Sequence, residues 1–504
     1  MEKWMKRITW LIFLVLSLLG LSCQAALLSP TPIPDAPLAT ALPDSLPTAS
    51  APAPSPLPTL QPTAVPTEIA INGADSLNDP YYPQMGNGGY DVLHYTLDLS
   101  VDVANNEIRG SATLEALTTA ALTSFNLDFH GLQVSAVTVN DAPAAFSRQN
   151  DELIITPDTP LARDTRFTTR IEYSGRPQPV DDAASPGEPV GWFADAGIYV
   201  LSESAGAMSW YPVNNHPLDK ATYTFRITAP KQFSVAANGL LISEQITGAM
   251  KTTVWETSHP LASYLTTLVI GHYNLVTETG PNGLPILNYF PPDAGGDVTS
   301  AFKPTSEMLS YYSQVFGPYP FESYGAIVLP IEYGFALETQ TRSIFTTDFV
   351  DEVTVAHELA HQWFGNSVSL TTWKDIWLNE GFATYAEALW IEHTEGKAAG
   401  DAYMQDIYAN ASQHHLAAPE DPAVRNLFAD SVYLRGGCVL YALRLKVGDE
   451  LFFKILRDYY SRYQGGNART EDFIAVAETV SGQDLGAFFD EWLNSDQVPA
   501  LPGQ

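Results

Sequence analysis

His357-Glu358-Leu359-Ala360-His361 sets two imidazoles four residues apart, with a carboxylate beside the first of them. The surrounding stretch, residues 350–364, has the apolar period of a helix, and on a helix positions i and i+4 stack on one face a turn apart. Both rings then reach one metal ion, zinc by ligand type, while Glu358 stands beside the position where water binds. Eighteen residues separate His361 from Glu380, which lies in Asn379-Glu380-Gly381-Phe382-Ala383 at the opening of an apolar helix that runs through Trp390. Projecting from a neighbouring antiparallel helix, Glu380 is placed as the third ligand. Two histidines and a carboxylate with an open fourth position form the ligand set of a hydrolytic centre with one zinc per chain, and Glu358 is its candidate general base.

Two kinds of element must position these groups. From residue 78 to 276 the pattern has period two: Tyr95, Leu97, Leu99 and Val101 alternate with Thr96, Asp98, Ser100 and Asp102, and Tyr223, Phe225 and Ile227 alternate with Thr224, Arg226 and Thr228. Turn signals such as Asn105-Asn106 and Asn238-Gly239 separate the runs. This predicts an all-β domain of half-buried antiparallel strands. From 277 to 504 helical periods dominate. Phe302, Met308, Leu309, Tyr312 and Phe316 suit one helix, residues 324–329 suit a strand, and helices follow from Asp351, so the second domain is α+β.

The block over 354–387, TVAHELAHQWFGNSVSLTTWKDIWLNEGFATYAE, resembles the signature of the aminopeptidase N family of zinc metallopeptidases, the gluzincin aminopeptidases, along its whole length. The resemblance covers about residues 80–495 and implies a saddle-like all-β N-terminal domain followed by a thermolysin-like catalytic domain. It also implies roles for residues that spacing alone does not reach. Gly334-Phe335-Ala336-Leu337-Glu338-Thr339 is similar to the family's GxMEN loop, whose glutamate grips the substrate's α-amine, which points to Glu338, with Gly334 and Ala336 lining the substrate. Leu337 and Thr339 stand where the family has Met and Asn. Glu203, nine residues before Pro212, lies in a segment similar to the one supplying a second carboxylate or amide to the amine. Tyr433-Leu434-Arg435-Gly436 resembles the family's Tyr-x-Lys-Gly, which places a phenol over the tetrahedral intermediate, and Arg435 keeps the charge of the lysine.

Together these imply an aminopeptidase acting on peptides with a free N-terminus. Zinc lowers the pKa of water, Glu358 takes its proton and hands it to the leaving amine, and Tyr433 stabilises the oxyanion. Glu203 and Glu338 measure off one residue. The family usually continues into a β module and a large helical cap, so the chain reads as a short form with a more open site. Two other readings use the same residues: a surface binding protein that keeps the fold without turnover, and an endopeptidase or epoxide hydrolase on the same metal. Retention of Glu358, Glu380, Glu338 and Tyr433 together favours catalysis, and Glu338 favours an exopeptidase.

Composition bounds the setting. With 25 Lys+Arg against 57 Asp+Glu the net charge is −32, which repels nucleic acid. Lys3, Lys6 and Arg7 precede an uncharged apolar run over 8–22, the pattern of an export signal, and Leu21-Ser22-Cys23 resembles a bacterial lipobox with Gly20 in place of the preferred leucine. Residues 30–66 contain 12 prolines and no Lys, Arg or Gly, so 23–77 reads as an extended tether, of which 30–66 alone would reach on the order of 100 Å. An exported protein held to a membrane through lipid on Cys23 is the expectation, and plain secretion after cleavage nearby is the alternative. Cys438 is the only other cysteine, so the body has no internal disulfide.

Overall fold

The computed structural model describes residues 69–503. The leader over 1–22, Cys23 and the proline-rich part of the tether lie outside the described residues. Among those described, no helix is long and apolar enough to cross a membrane.

The β-domain is built on Tyr90–Asp102, which pairs antiparallel with Glu107–Thr118 and parallel with Lys220–Pro230 in a nine-stranded sheet. Alternation sends Tyr95, Leu97, Leu99 and Val101 into the core together with Tyr223, Phe225 and Ile227. Across the parallel pair Tyr95 stacks on Tyr223 with centroids 4.8 Å apart, a cross-strand aromatic contact that fixes register. A second, four-stranded sheet includes Ile198–Leu201 and Leu268–Gly271. The first of these strands delivers the chain to Glu203.

The catalytic domain carries a five-stranded sheet in the order Asn274–Thr279, Pro285–Phe290, Tyr324–Leu329, Ser343–Thr346, Ala336–Leu337. Both expected domain limits differ from the strand pairing. Ile71–Asn72, within the expected tether, pairs in parallel with Leu122–Asp128, and both residues are exposed, so no apolar pattern announces them. Asn274–Thr279 already belongs to the catalytic sheet although the expected boundary falls after 276. All six of its residues are exposed, and an edge strand of that kind carries no alternation.

The expected helix through Phe302 and Phe316 is two helices, Gly296–Ala301 and Thr305–Val315, with Pro304 at the cap of the second. Proline has no N–H to continue a helix, yet all five apolar residues remain buried. The metal-motif helix spans Glu352–Ala360, and the Asp351 side chain accepts the Thr354 N–H at its N-cap at 2.8 Å. His361 is the C-cap but keeps helical φ and ψ of −55° and −26°, and its N–H donates to His357 O at 3.3 Å, so the i, i+4 geometry survives the helix end. Trp377–Glu395 follows and packs on Gly436–Val447. A Cβ on Gly381 would lie 2.7 Å from the backbone of Gly436, so the glycines of both segments are what allows the two helices to touch.

Candidate active site

The motif helix and the following helix converge so that His357 Nε2 and His361 Nε2 lie 3.5 and 3.4 Å from Glu380 Oε2. Four-coordinate zinc with bonds of about 2.0–2.1 Å separates neighbouring ligand atoms by about 3.3 Å, so both histidine-to-carboxylate separations match the spacing a zinc ion requires. The ring orientations agree. His357 Nδ1 faces Glu387 Oε1 at 2.6 Å and His361 Nδ1 faces Phe364 O at 3.2 Å, which assigns the N–H to Nδ1 and leaves Nε2 as the donor atom in both rings. Tyr403 donates its hydroxyl to the other oxygen of Glu387. This donor set fits a single zinc ion held by His357, His361 and Glu380.

Around the ligands the structure gathers Glu358, Glu338 and Glu203, all buried. Ligand atoms of Glu338, Glu358 and His361 lie within 4.8 Å of one another, as do those of Glu203, Glu338 and Glu380. Glu338 follows directly on Ala336–Leu337, and its carbonyl accepts Asn366 Nδ2 at 2.7 Å and Gln362 Nε2 at 3.1 Å, which pins the loop to the residues just past the metal motif. Glu203 Oε1 and Glu338 Oε1 are buried without a hydrogen-bond partner. A buried acceptor left unpaired is costly unless a donor reaches it. Ala336 pairs with Phe345 in the sheet, while Gly334, two residues earlier, turns at φ +68° and donates its N–H to Asp348 at 3.2 Å.

Tyr433 lies over His357, ring centroids 6.1 Å apart at 21°. It sits in Ser431–Arg435, a single π-helical turn ahead of Gly436–Val447. Single π turns of this kind are frequent at functional sites. Arg435 does not offer its charge to the site. Its guanidinium is buried and donates to the carbonyls of Leu416, Trp492 and Ser495 at 2.8–3.2 Å.

The electrostatics follow from four buried carboxylates facing two imidazoles. Burial, then the charges of Glu338, Glu380 and Glu358, hold the Glu203 carboxyl well above the usual range. Burial raises Glu358 to about 8 against the pull of His357 and His361. Burial alone would raise Glu380 too, but the two histidines overcome it and bring it to about 2, and in return Glu380 and Glu338 lift His361 to about 9 against its own burial. A nearby cation favours the ionised form of every one of these carboxyl groups. The arrangement suits a divalent metal on one side and an ammonium group on the other.

The structure thus brings His357, Glu358, His361, Glu380, Glu338, Glu203 and Tyr433 together. Sequence reasoning missed Glu387 and Tyr403 behind His357, Gln362 and Asn366 behind Glu338, and Asp182, whose carboxylate accepts the N–H groups of Ser204 and Ala205 beside Glu203. Glu387 had a signal, since it lies two helical turns after Glu380 on the same face. The others depend on contacts between segments distant in sequence.

Comparison with known proteins places this geometry. Residues 92–265 match the Peptidase M1 N-terminal domain and residues 300–492 the Peptidase family M1 domain. An M1 zinc metallopeptidase from Deinococcus radiodurans superposes with a TM-score of 0.80 at 32% identity, covering 85% of this chain and 98% of that one. Aminopeptidase N of Streptomyces lividans is 30% identical over 340 residues, 60% of this chain and 38% of that protein, and rice aminopeptidase M1-D is 27% identical over 326 residues, 59% of this chain and 37% of that protein. The chain thus spans well under half the length of these two relatives. With the β-rich domain, the mixed α/β catalytic domain and the zinc ligand set in the order that the family shares, the chain belongs to peptidase family M1, the zinc metallopeptidases.

Proposed function

We propose that the protein is a zinc aminopeptidase that removes the N-terminal residue of peptides with a free α-amine. The observation that carries this reading is the pair of buried, unpartnered oxygens on Glu203 and Glu338 beside the ligand set. A variant of the Deinococcus radiodurans enzyme binds a Tyr-Ser-Ala substrate, which supports a peptide as the ligand class. Zinc, once bound to His357, His361 and Glu380, supplies Lewis acidity and makes water a nucleophile near neutral pH. Glu358 accepts the proton that water gives up and returns it to the departing amine. The Tyr433 hydroxyl donates to the oxyanion of the tetrahedral intermediate. Glu203 and Glu338 accept hydrogen bonds from the α-ammonium, which orients the first peptide bond towards Glu358.

Metal analysis of purified protein should find one zinc per chain, and a chelator should abolish hydrolysis of aminoacyl chromogenic amides until zinc is restored. Active protein without zinc would sink the reading. Tyr433→Phe keeps the ring over His357 and removes one donor, so kcat should fall about 10²–10³-fold with little change in KM. Near-parental kcat would make Tyr433 a packing residue.

A further inference from the structure

Asp182 lies in the β-domain, 4% exposed, and accepts four hydrogen bonds. Oδ1 takes the Tyr82 hydroxyl at 2.6 Å and the Ala184 N–H at 2.8 Å, and Oδ2 takes the N–H groups of Ser204 and Ala205 at 3.1 Å each. Ser204 and Ala205 are the two residues directly after Glu203. Tyr82 meets Trp373 edge-on, centroids 5.7 Å apart, and three residues before Tyr82 the Asp79 carboxylate accepts the Trp373 N–H at 2.9 Å and faces buried His216 at 3.3 Å. Trp373 begins the short turn that leads into Trp377–Glu395, the helix of Glu380. One four-residue segment, 79–82, therefore touches both the support of Glu203 and the approach to a metal ligand.

Glu203 needs such a support. Its carboxyl group is buried beside Glu338 and Glu380 with Oε1 lacking a hydrogen-bond partner, an arrangement that an unrestrained loop would leave for water. Two backbone N–H groups bound to one buried carboxylate oppose that movement with charge-assisted hydrogen bonds.

We propose that Asp182, assisted by Tyr82, is a positioning residue for amine recognition, holding Glu203 at a fixed distance from the helix that carries Glu380. This rests on the amine-binding reading of Glu203 given above. Asp182 touches no substrate; it sets where the ammonium sits relative to the metal ligands, and so which bond lies beside Glu358. A misplacement of about 1 Å costs about 10²-fold in rate.

The test uses the zinc-loaded full chain with an aminoacyl chromogenic amide and its N-acetyl counterpart. Asp182→Asn keeps the shape but turns one acceptor oxygen into a donor facing N–H groups. It should lower kcat/KM for the free amide about 10²-fold, in kcat as well as KM, with the acetylated amide little affected and zinc still at one per chain. Tyr82→Phe retains the ring on Trp373, removes one bond to Asp182, and should move the free-to-acetylated ratio the same way by less. If Asp182→Asn does not fold, that ratio in Tyr82→Phe decides. Equal losses on both substrates, or an unchanged ratio, would show that Asp182 serves the fold alone. Glu203→Ala is measured alongside, because an amide at this position would still accept from the ammonium. If it too leaves the ratio at the parental value, amine recognition by Glu203 and its positioning both fall; if it shrinks the ratio and the other two variants do not, only the positioning falls.

Discussion

Glu358→Gln should bind zinc at one per chain and lose about 10²–10⁴-fold in kcat, with KM for peptides nearly unchanged. The side chain is not a ligand in the set formed by His357, His361 and Glu380, so its amide leaves that set intact, while an amide cannot take a proton from water. The pH profile adds a second readout. In the metal-free site burial lifts Glu358 to about 8, and a divalent charge beside it draws that value down. A base works only when deprotonated, so in the parent kcat should climb as pH rises through the pKa of Glu358 in the loaded enzyme. The glutamine variant, at equal zinc loading, should lack that climb. A variant that hydrolyses peptides at the parental rate would remove Glu358 from the role of base.

Acetylating the substrate's α-amine should lower kcat/KM by about 10⁴–10⁵-fold, the range seen when a site built to hydrogen-bond a group meets an analogue without it. The reference pKa of an α-ammonium is about 8, so the cation dominates at neutral pH and can satisfy both Glu203 Oε1 and Glu338 Oε1. The acetyl amide has no charge and one N–H, and it leaves buried carboxylate oxygens unpaired. The same logic gives a direction with pH: affinity for the free amine should weaken as pH rises past about 8 and the ammonium loses its proton. Glu338→Ala should damage free-amine substrates far more than blocked ones and narrow the ratio between them. Equal cleavage of blocked and free peptides would replace the exopeptidase reading with an endopeptidase on the same metal.

The metal ligands were legible because their geometry is local. A helical repeat alone puts His357 and His361 on one face, and the apolar helix after Asn379 gives Glu380 a rigid mount. The β-domain was legible for a similar reason, since burial of one sheet face forces the alternation seen from Tyr95 to Val101. Edges were not: Ile71–Asn72 and Asn274–Thr279 pair through backbone alone and leave their side chains in solvent. Glu338, Glu203 and Tyr433 were reached through family resemblance, because nothing in their spacing brings them to the metal. Their supports were out of reach altogether. Gln362 meets Glu338 across 24 residues, and Asp182 meets Ser204 across 22. Arg435 reads as a charge retained for the site, yet the backbone carbonyls that take up its guanidinium have no signature in any sequence.

That guanidinium also imposes an order of events. Its acceptors at Trp492 and Ser495 lie 57 and 60 residues further along the chain. Domains fold as units, so the catalytic domain settles only once its C-terminal segment has been made. The turn holding Tyr433 ends at Arg435, so it is seated only when the later segment docks. A chain cut short before Trp492 would therefore lack carbonyls that hold this turn, and Tyr433 with it, although every metal ligand would still be present.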